Sequence, residues 1–282
     1  MAHHYTTYAI FSRTSPEAPH PEQTRIVRYL AQRYPALRPV ATTEADLLLV
    51  FGGDGTLLET VRSRTRCDQH LLAFNTGHTG FLATVRDYTR FFETIDHALS
   101  GSLIHMHVPV MRAVHHSGEM ERVLYAVNDM VIDCVMTWLT LRIDIVQGAL
   151  ATFVKEVRGS GLCLFSSIGS TTAMAAHFQA PRMDPDVRAF YMKGVNDLSA
   201  PANAMLLSGA ADRRIRITLT EIQPNLGIPM QHRHPPSLFL DGVHAGVLSV
   251  GDVFDVHYLE ESSILLRLPE ELHWDRVRAL RY

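Results

Sequence analysis

The segment Gly52-Gly53-Asp54-Gly55-Thr56 is the part of this sequence that could do chemistry most directly. It places one carboxylate among three glycines, immediately after the apolar run Leu47–Phe51. Glycines let the backbone approach an anion closely, and the N–H groups at the start of a following helix attract phosphate oxygens. The pattern therefore predicts a phosphate-binding turn that holds Asp54 beside the phosphates.

Alternating apolar runs and helical periodicities surround this turn in the first third of the chain. Predicted strands are Tyr8–Phe11, Leu47–Phe51 and Leu71–Phe74, and predicted helices are Pro21–Tyr34, the segment after Thr56, and Asp87–Leu99, which Gly101 closes. Such alternation is typical of a parallel sheet that binds its ligands at the carboxyl ends of the strands. We therefore expect an α/β protein with an N-terminal parallel α/β sheet domain over residues 1–105.

The pattern of apolar and polar residues changes beyond about residue 105. Short strands with one polar face are predicted, such as Leu141–Ile145 and Arg214–Leu219. We expect residues 106–258 to form a second, β-rich domain that resembles a β-sandwich. A loop-rich interval is predicted at Glu221–Ser237, followed by strands at Phe254–Tyr258 and Ile264–Leu268 and a helix at Trp274–Leu280.

Composition excludes several classes of function. The 282 residues carry a net charge of -3, which argues against a main role in coating nucleic acid. No apolar stretch approaches the ~20 residues that cross a bilayer, and no signal peptide is recognised. The cysteines, at 67, 134 and 163, are odd in number and unpatterned, which favours a reducing cytoplasm. We expect a soluble cytoplasmic protein, with His115 and His116 as solvated loop residues.

Three further segments turn this phosphate site into a recognisable pattern. Asn75–Leu82 repeats the strand-then-glycine design, Asn128-Asp129 ends a short strand, and Ser166–Ala173 places hydroxyl residues at a helix start. With the glycine turn, these motifs resemble in order and spacing the ATP-dependent NAD kinases, which share a superfamily with diacylglycerol kinases. The resemblance runs from about residue 45 to 181, and more loosely to Leu238–Gly242, which looks like the family's late strand and turn.

The resemblance implies an activity and a set of site residues. NAD kinases transfer the γ-phosphoryl of ATP, or in some cases of polyphosphate, to the 2′-hydroxyl of the adenosine ribose of NAD, with a divalent metal that we expect to be Mg²⁺. Asp54 matches the catalytic aspartate. The resemblance implies NAD binding by Asp54, Gly55, Phe81, Asn128, Asp129, Thr172, Ala173 and Met174, and ATP binding by Gly53, Gly55 and Thr56. It assigns no metal-ligating side chain.

The resemblance also concerns the domains and their assembly. It implies a nucleotide-binding first domain, completed by about residues 259–282 as the C-terminal segment returns to it. The β-rich second domain would bind NAD and form the contacts of a homodimer or homotetramer.

Four places depart from the family pattern, one of them Gln179-Ala180, which replaces the usual Gly-Gly before Pro181. Ser160 stands where an aspartate is usual, and Met174 where a tyrosine is usual. In a gapless alignment Ser170 occupies the usual glycine position, with Gly169 one residue early. Losing one hydrogen bond to a charged acceptor costs ~1.5 to 3 kcal/mol, so we expect a working kinase with weaker or altered dinucleotide binding.

Alternative interpretations remain open. The same scaffold could phosphorylate a lipid or another small alcohol, or it could be a catalytically silent dinucleotide-binding regulator, as Ser160 and Met174 suggest. Locally, Asp54 or Thr172 could be a plain helix cap, and Asn128-Asp129 an ordinary turn pair.

Overall fold

The structure is a computed structural model. It describes residues 4–13, 20–63, 68–76, 82–83, 85, 87–134, 137–184, 187–198, 204–210, 212–224, 234–259 and 263–268. The chain divides into two compact units, one formed by Met1–Val108 with Glu261–Tyr282 and the other by Pro109–Glu260.

In chain order, the strands are β1 (Thr7–Ser12), β2 (Arg38–Pro39), β3 (Leu47–Phe51), β4 (His70–Phe74), β5 (Ile104–Val108), β6 (Met111–Ser117), β7 (Met120–Ala126), β8 (Asp129–Asp133), β9 (Thr137–Gln147), β10 (Leu150–Gly159), β11 (Gly161–Phe165), β12 (Ala189–Val195), β13 (Ala204–Ser208), β14 (Arg213–Pro224), β15 (Ser237–Leu240), β16 (Val243–Val247), β17 (Val253–Tyr258) and β18 (Ser263–Arg267). The helices are α1 (Pro21–Arg33), α2 (Asp54–Ser63), α3 (Phe91–Ser100) and α4 (Ala173–His177).

The first unit contains a six-stranded sheet of order β2-β1-β3-β4-β18-β5. Neighbours from β2 to β18 are parallel, and β5 is antiparallel to β18. The predicted parallel α/β sheet is confirmed. Because β18 comes from the end of the chain and pairs with β4, the expected return of the C-terminal segment is confirmed as well.

The central strands of this sheet are apolar along their whole length. Every residue of β3 and β4 is buried, as expected for parallel strands covered on both faces. Phe51 and Phe74 stack with their ring centroids 4.9 Å apart, and Phe91 of α3 lies 4.4 Å from Phe74. This packing fixes the carboxyl ends of β3 and β4, from which the glycine-containing segments depart.

The predicted helix Asp87–Leu99 has two parts. A 3-10 turn spans Tyr88–Arg90, where the Asp87 carboxylate accepts a hydrogen bond from the Thr89 N–H at 2.9 Å. The α-helix then follows to Ser100 and is capped by Gly101, whose φ of 74° lies in the left-handed region that favours glycine.

The second unit consists mainly of two six-stranded antiparallel sheets. The β9 sheet has the order β10-β9-β14-β17-β6-β7, and the β8 sheet has the order β13-β12-β11-β8-β15-β16. Buried apolar residues of both sheets form one core, among them Leu141, Ile217 and Phe254 on the β9 sheet and Leu164 and Met192 on the β8 sheet. The predicted β-rich, sandwich-like architecture is confirmed.

The predicted loop at Glu221–Ser237 is partly wrong. Strand β14 continues to Pro224, because a register shift after Leu219 lets it stay paired with β9 as far as Thr137. Residues 225–233 of that interval, and the predicted helix Trp274–Leu280, lie outside the described residues.

The expectation for His115 is wrong. This residue lies in β6, is buried, and stacks on Phe254 with the ring centroids 4.4 Å apart. Its Nε2 is 3.2 Å from Asp252 Oδ2. The adjacent His-His pair gave no local sign that one ring faces the protein interior. Among the described helices, none has the length and apolar character needed to cross a membrane.

Candidate active site

The glycine turn after β3 is tightly packed against the helix that follows it. A Cβ atom placed on Gly52 would overlap the Thr56 side chain, lying 2.9 Å from Cγ2 and closer still to Oγ1. The Gly52 N–H donates to the Phe74 carbonyl at 3.0 Å, and the Gly53 carbonyl accepts from the Thr56 N–H at 3.0 Å as α2 begins. Glycine at position 52 is therefore a steric requirement of the strand-to-helix turn.

Several polar groups of the turn have no partner among the described residues. The N–H groups of Gly53 and Gly55, and the hydroxyl of Thr56, make no hydrogen bond with any residue that the structure describes. The first N–H groups of a helix lack intrahelical acceptors, and the helix dipole favours an anion there. These three residues, predicted to serve ATP, thus offer donors at the start of α2.

Asp54 is the first residue of α2, and its carboxylate is anchored by backbone groups. Oδ1 accepts hydrogen bonds from the Leu82 N–H at 2.8 Å and from the Ala83 N–H at 3.0 Å. Both amides belong to the chain that emerges from the second glycine motif. The side chain is half-buried, so its orientation is fixed while it stays within reach of solvent.

Arg13 is a charged neighbour of this turn that the sequence analysis missed. Its Nη2 donates to the Gly55 carbonyl at 3.1 Å, and its Nε lies 2.5 Å from Glu59 Oε2. The side chain is 55% exposed. The signal that could have found it is its place directly after β1, because ligands of parallel sheets bind at the carboxyl ends of the strands.

The second glycine motif is described in part. Asn75 follows β4, is buried, and donates its N–H to the Val85 carbonyl at 2.8 Å. Phe81 lies outside the described residues, so its predicted contact with adenine stays a prediction.

In the second unit, Asn128 and Asp129 lie at the junction of β7 and β8. Asn128 is half-buried, and its side-chain amide makes no hydrogen bond with any described residue. Asp129 is only 5% exposed. It lies near Cys163, whose pKa rises to about 12 through burial and, secondarily, through the charges of Asp129 and Asp133. The Cys163 thiol therefore stays protonated at neutral pH and is no nucleophile.

The hydroxyl-rich segment before α4 is held together by its own side chains. The Thr172 hydroxyl donates to the Gly169 carbonyl at 2.8 Å and accepts from the Ala175 N–H at 3.2 Å, so Thr172 caps α4. Ala173 begins α4, and the Met174 side chain is 39% exposed. Of the residues predicted to bind NAD here, Met174 thus presents its side chain to solvent.

The described residues contain no group of three or more His, Cys, Asp or Glu side chains that could hold a metal ion. A Mg²⁺ ion commonly binds through substrate phosphates and a few waters.

The chain is similar in sequence to known proteins. A family model described as the ATP-NAD kinase N-terminal domain matches residues 4–103. The NAD kinase of Symbiobacterium thermophilum is 26% identical over 236 residues, which cover 83% of this chain and 78% of that protein. The first third of the chain thus matches the ATP-NAD kinase N-terminal domain, and most of its length is similar to an NAD kinase. The matched region contains the Asp54 turn and its Arg13 neighbour.

Two solved structures share the fold of this chain. Yeast NADH kinase, complexed with NADH, superposes with a TM-score of 0.79 at 19% identity, covering 99% of this chain and 87% of that chain. An NAD kinase from Archaeoglobus fulgidus, in complex with ATP, gives a TM-score of 0.71 at 17% identity, covering 98% of this chain and 100% of that chain.

The structure locates the first departure from the NAD kinase pattern, Ser160. Its hydroxyl accepts a hydrogen bond from Asn196 Nδ2 at 3.1 Å, and Asn196 has a left-handed φ of 50°. A neutral hydroxyl that is already hydrogen-bonded thus stands where NAD kinases usually carry an aspartate.

The displaced glycine of the NAD kinase motif has a steric explanation. A Cβ on Gly169 would overlap the Asn128 carbonyl group, whose carbon would be 2.5 Å away. The close approach between the hydroxyl-rich turn and the Asn128 backbone occurs at Gly169. Ser170 can therefore occupy the next position, where its hydroxyl donates to the Ser167 carbonyl at 2.5 Å.

Proposed function

We propose that this protein is an NAD kinase that transfers the γ-phosphoryl of ATP to the 2′-hydroxyl of the adenosine ribose of NAD, giving NADP and ADP. The observation that carries the proposal is the anchored carboxylate of Asp54 at the start of α2, beside backbone donors that have no partner in the described part of the chain. It lies in the segment that matches the ATP-NAD kinase N-terminal domain. A carboxylate beside a phosphate-binding turn suits phosphoryl transfer to an alcohol.

In the proposed reaction, the 2′-oxygen forms a bond to the γ-phosphorus while the bond between that phosphorus and the β–γ bridging oxygen breaks. The proton of the hydroxyl passes to the Asp54 carboxylate, and ADP leaves. Because the transition state of phosphoryl transfer is loose, this proton moves late and positioning contributes most of the rate. The two amides on Oδ1 supply that positioning by fixing the carboxylate.

The phosphates of ATP would lie on the N–H groups of Gly53 and Gly55 and the hydroxyl of Thr56. Arg13 would add a positive charge at the rim of the turn. We propose that ATP is bound as its Mg²⁺ complex, in which the metal offsets the charge that develops on the phosphates. Polyphosphate, a chain of similar phosphoanhydrides, is an alternative donor for the same groups.

NAD would be bound mainly by the second unit. The unpartnered amide of Asn128 can hydrogen-bond a ribose hydroxyl, and Asp129 would act beside it once the ligand is present. Phe81, Thr172, Ala173 and Met174 would line the adenine side. Ser160 is neutral and cannot make the charged contact to the dinucleotide that an aspartate at this position could make. We therefore expect a raised KM for NAD.

We further propose a cytoplasmic homodimer or homotetramer in which the β-rich unit forms the contacts. Cys134 and Cys163 are free and buried, which suits a reducing compartment. On β10, Leu150 is 75% exposed and Phe153 is 52% exposed, which suits a surface that a second copy covers.

The test is to incubate the protein with ATP, Mg²⁺ and NAD and to detect NADP with an NADP-specific dehydrogenase. Asp54→Asn should lower kcat by roughly 10³-fold, because it removes the proton acceptor while keeping the shape of the side chain. Asp46→Asn is the matched control. Its carboxylate also accepts backbone N–H groups, from Thr6 at 3.0 Å and Thr7 at 3.1 Å, and has no role in the proposed site.

Equal rates for the wild type and Asp54→Asn would remove Asp54 from its role. ATP consumption with a diacylglycerol or another alcohol, and none with NAD, would favour the lipid or small-alcohol kinase. NAD binding without any ATP-dependent product under all metal conditions would favour the silent regulator.

A further inference from the structure

Three consecutive backbone N–H groups converge on the carboxylate of Asp241. Oδ1 accepts from Asn128 at 2.7 Å and from Asp129 at 3.2 Å, and both carboxylate oxygens lie 3.1 Å from the Val127 nitrogen. The Asp241 N–H in turn donates to the Asp129 carbonyl at 3.0 Å. These residues are more than a hundred positions apart in sequence, so the contact is purely tertiary.

Asp241 is itself rigidly held. It lies in the turn between β15 and β16, and β15 pairs with β8 so that Leu240 is opposite Met130. Its φ of 49° is in the left-handed region, which Asp, Asn and Gly adopt more readily than other residues. The carboxylate is thus delivered to the Asn128 backbone from an ordered strand of the same sheet.

The carbonyl side of the same peptide groups is also fixed. The Ser166 N–H donates to the Asn128 carbonyl at 2.9 Å, and the Ser166 hydroxyl donates to the Val127 carbonyl at 2.5 Å. Gly169 packs directly against the Asn128 carbonyl. The backbone of Asn128 is therefore held by its N–H on one side and by its carbonyl on the other.

The side chain of Asn128 remains available to a ligand, because the backbone groups of this residue are already hydrogen-bonded. Asn128 is half-buried, and its side-chain amide makes no hydrogen bond with any described residue. We infer that Asp241 is a positioning residue for dinucleotide binding: it fixes the Val127–Asp129 backbone so that the Asn128 amide is presented to a ribose hydroxyl. This inference rests on the proposed function, because it takes NAD as the ligand of Asn128.

The chemistry of the anchor explains why it is a carboxylate. An ionised carboxylate offers acceptor positions on both oxygens and strengthens each bond to an N–H through its charge. An amide has one acceptor oxygen, and its NH₂ group would face an N–H donor of the turn. Loss of the anchor would free the peptide groups to rotate, and Asn128 would bind ribose at an entropic cost.

Two substitutions separate the carboxylate from the backbone conformation of its turn. Asp241→Asn and Asp241→Gly both tolerate a left-handed φ, but the first keeps one acceptor oxygen and the second keeps none. We expect KM for NAD to rise roughly threefold to tenfold in Asp241→Asn and by more than tenfold in Asp241→Gly. KM for ATP should stay within about twofold in both, since a selective loss of NAD binding is the expected signature.

Asp252→Asn is the matched control for stability. Asp252 is a buried carboxylate of the same unit that accepts the Ser249 N–H at 3.0 Å, but it precedes β17 on the other sheet. The Asp252→Asn substitution should lower the melting temperature without a selective rise in KM for NAD. The dissociation constant of NAD, measured by calorimetry, provides a readout that does not need turnover.

The outcomes are distinguishable. If the wild type makes NADP and Asp241→Gly leaves KM for NAD and the dissociation constant of NAD unchanged, the inference is overturned and the proposed function stands. If the wild type binds NAD without turnover and Asp241→Gly weakens that binding, the inference stands and the kinase proposal falls. A rise in both KM values, matched by Asp252→Asn, would indicate a merely structural role. A wild type that neither binds nor phosphorylates NAD would overturn both.

Discussion

Arg13 carries a positive charge to the rim of the glycine turn, and Glu59 holds it there. The Nη2 hydrogen bond to the Gly55 carbonyl places the guanidinium beside the unpartnered N–H groups of the turn. An exposed ion pair of this kind contributes little to stability, since solvent screens it. We therefore expect Arg13 to contact an anion, which is present only when the nucleotide is bound.

Arg13→Ala should raise KM for ATP about tenfold and leave KM for NAD nearly unchanged, because one charge-assisted hydrogen bond to phosphate is lost. Initial rates measured against each substrate in turn provide the check. Arg25→Ala is the matched control, since Arg25 is also an exposed arginine that forms an ion pair, with Glu22 at 2.8 Å on α1. If Arg13→Ala leaves KM for ATP unchanged, the Arg13 guanidinium pairs with Glu59 alone and does not contact the phosphates.

At the scale of elements, a charged ladder crosses neighbouring strands of the β9 sheet. Arg216 of β14 makes two hydrogen bonds of 2.8 Å to Asp255 of β17, and Arg214 and His116 lie 3.9 Å from the same carboxylate. Burial by itself would raise the pKa of Asp255. The hydrogen bonds from Arg216 and the positive charges outweigh burial and lower that pKa below its ordinary value. Ionised Asp255 thus helps to join β17 to β14.

A lowered folded-state pKa has a definite effect on stability. The contribution of Asp255 is fully present above the unfolded pKa of about 3.9 and is lost as the pH falls through the lower folded value. Asp255→Asn should therefore reduce the free energy of unfolding at neutral pH, and the difference from wild type should shrink in acid. Urea unfolding at a series of pH values from about 7 to 2.5 measures this. A difference independent of pH would contradict the assignment.

At the scale of the whole molecule, the chain has a small net charge of -3 and leaves apolar side chains exposed on β10. Weak net repulsion permits copies of the chain to associate. Multi-angle light scattering should give a mass of two or four times the 31.6 kDa of one chain. A strict monomer with full activity would remove the proposed homo-oligomer.

The sequence by itself determined the features that depend on local backbone chemistry. The apolar run of β3 followed by glycines at 52, 53 and 55 predicted the strand, the turn and the helix. A buried strand requires apolar residues, and close backbone packing requires glycine. The same holds for the alternating strands of the second unit. Asn128 and Asp129 stay site predictions that rest on the resemblance to NAD kinases, and Asp54 stays a prediction that rests on the glycine turn as well.

The tertiary structure alone decided which distant groups hold these residues. Three contacts join segments that are far apart in the chain. They are those of Arg13 with the Gly55 carbonyl, of Asp241 with the Asn128 N–H, and of His115 with Asp252. Residue type and spacing constrain the local conformation, but the partner of a carboxylate or imidazole depends on how strands are ordered in a sheet and which faces pack together. The physical reason is that hydrogen bonds and burial are settled by proximity in space, which the linear pattern does not encode.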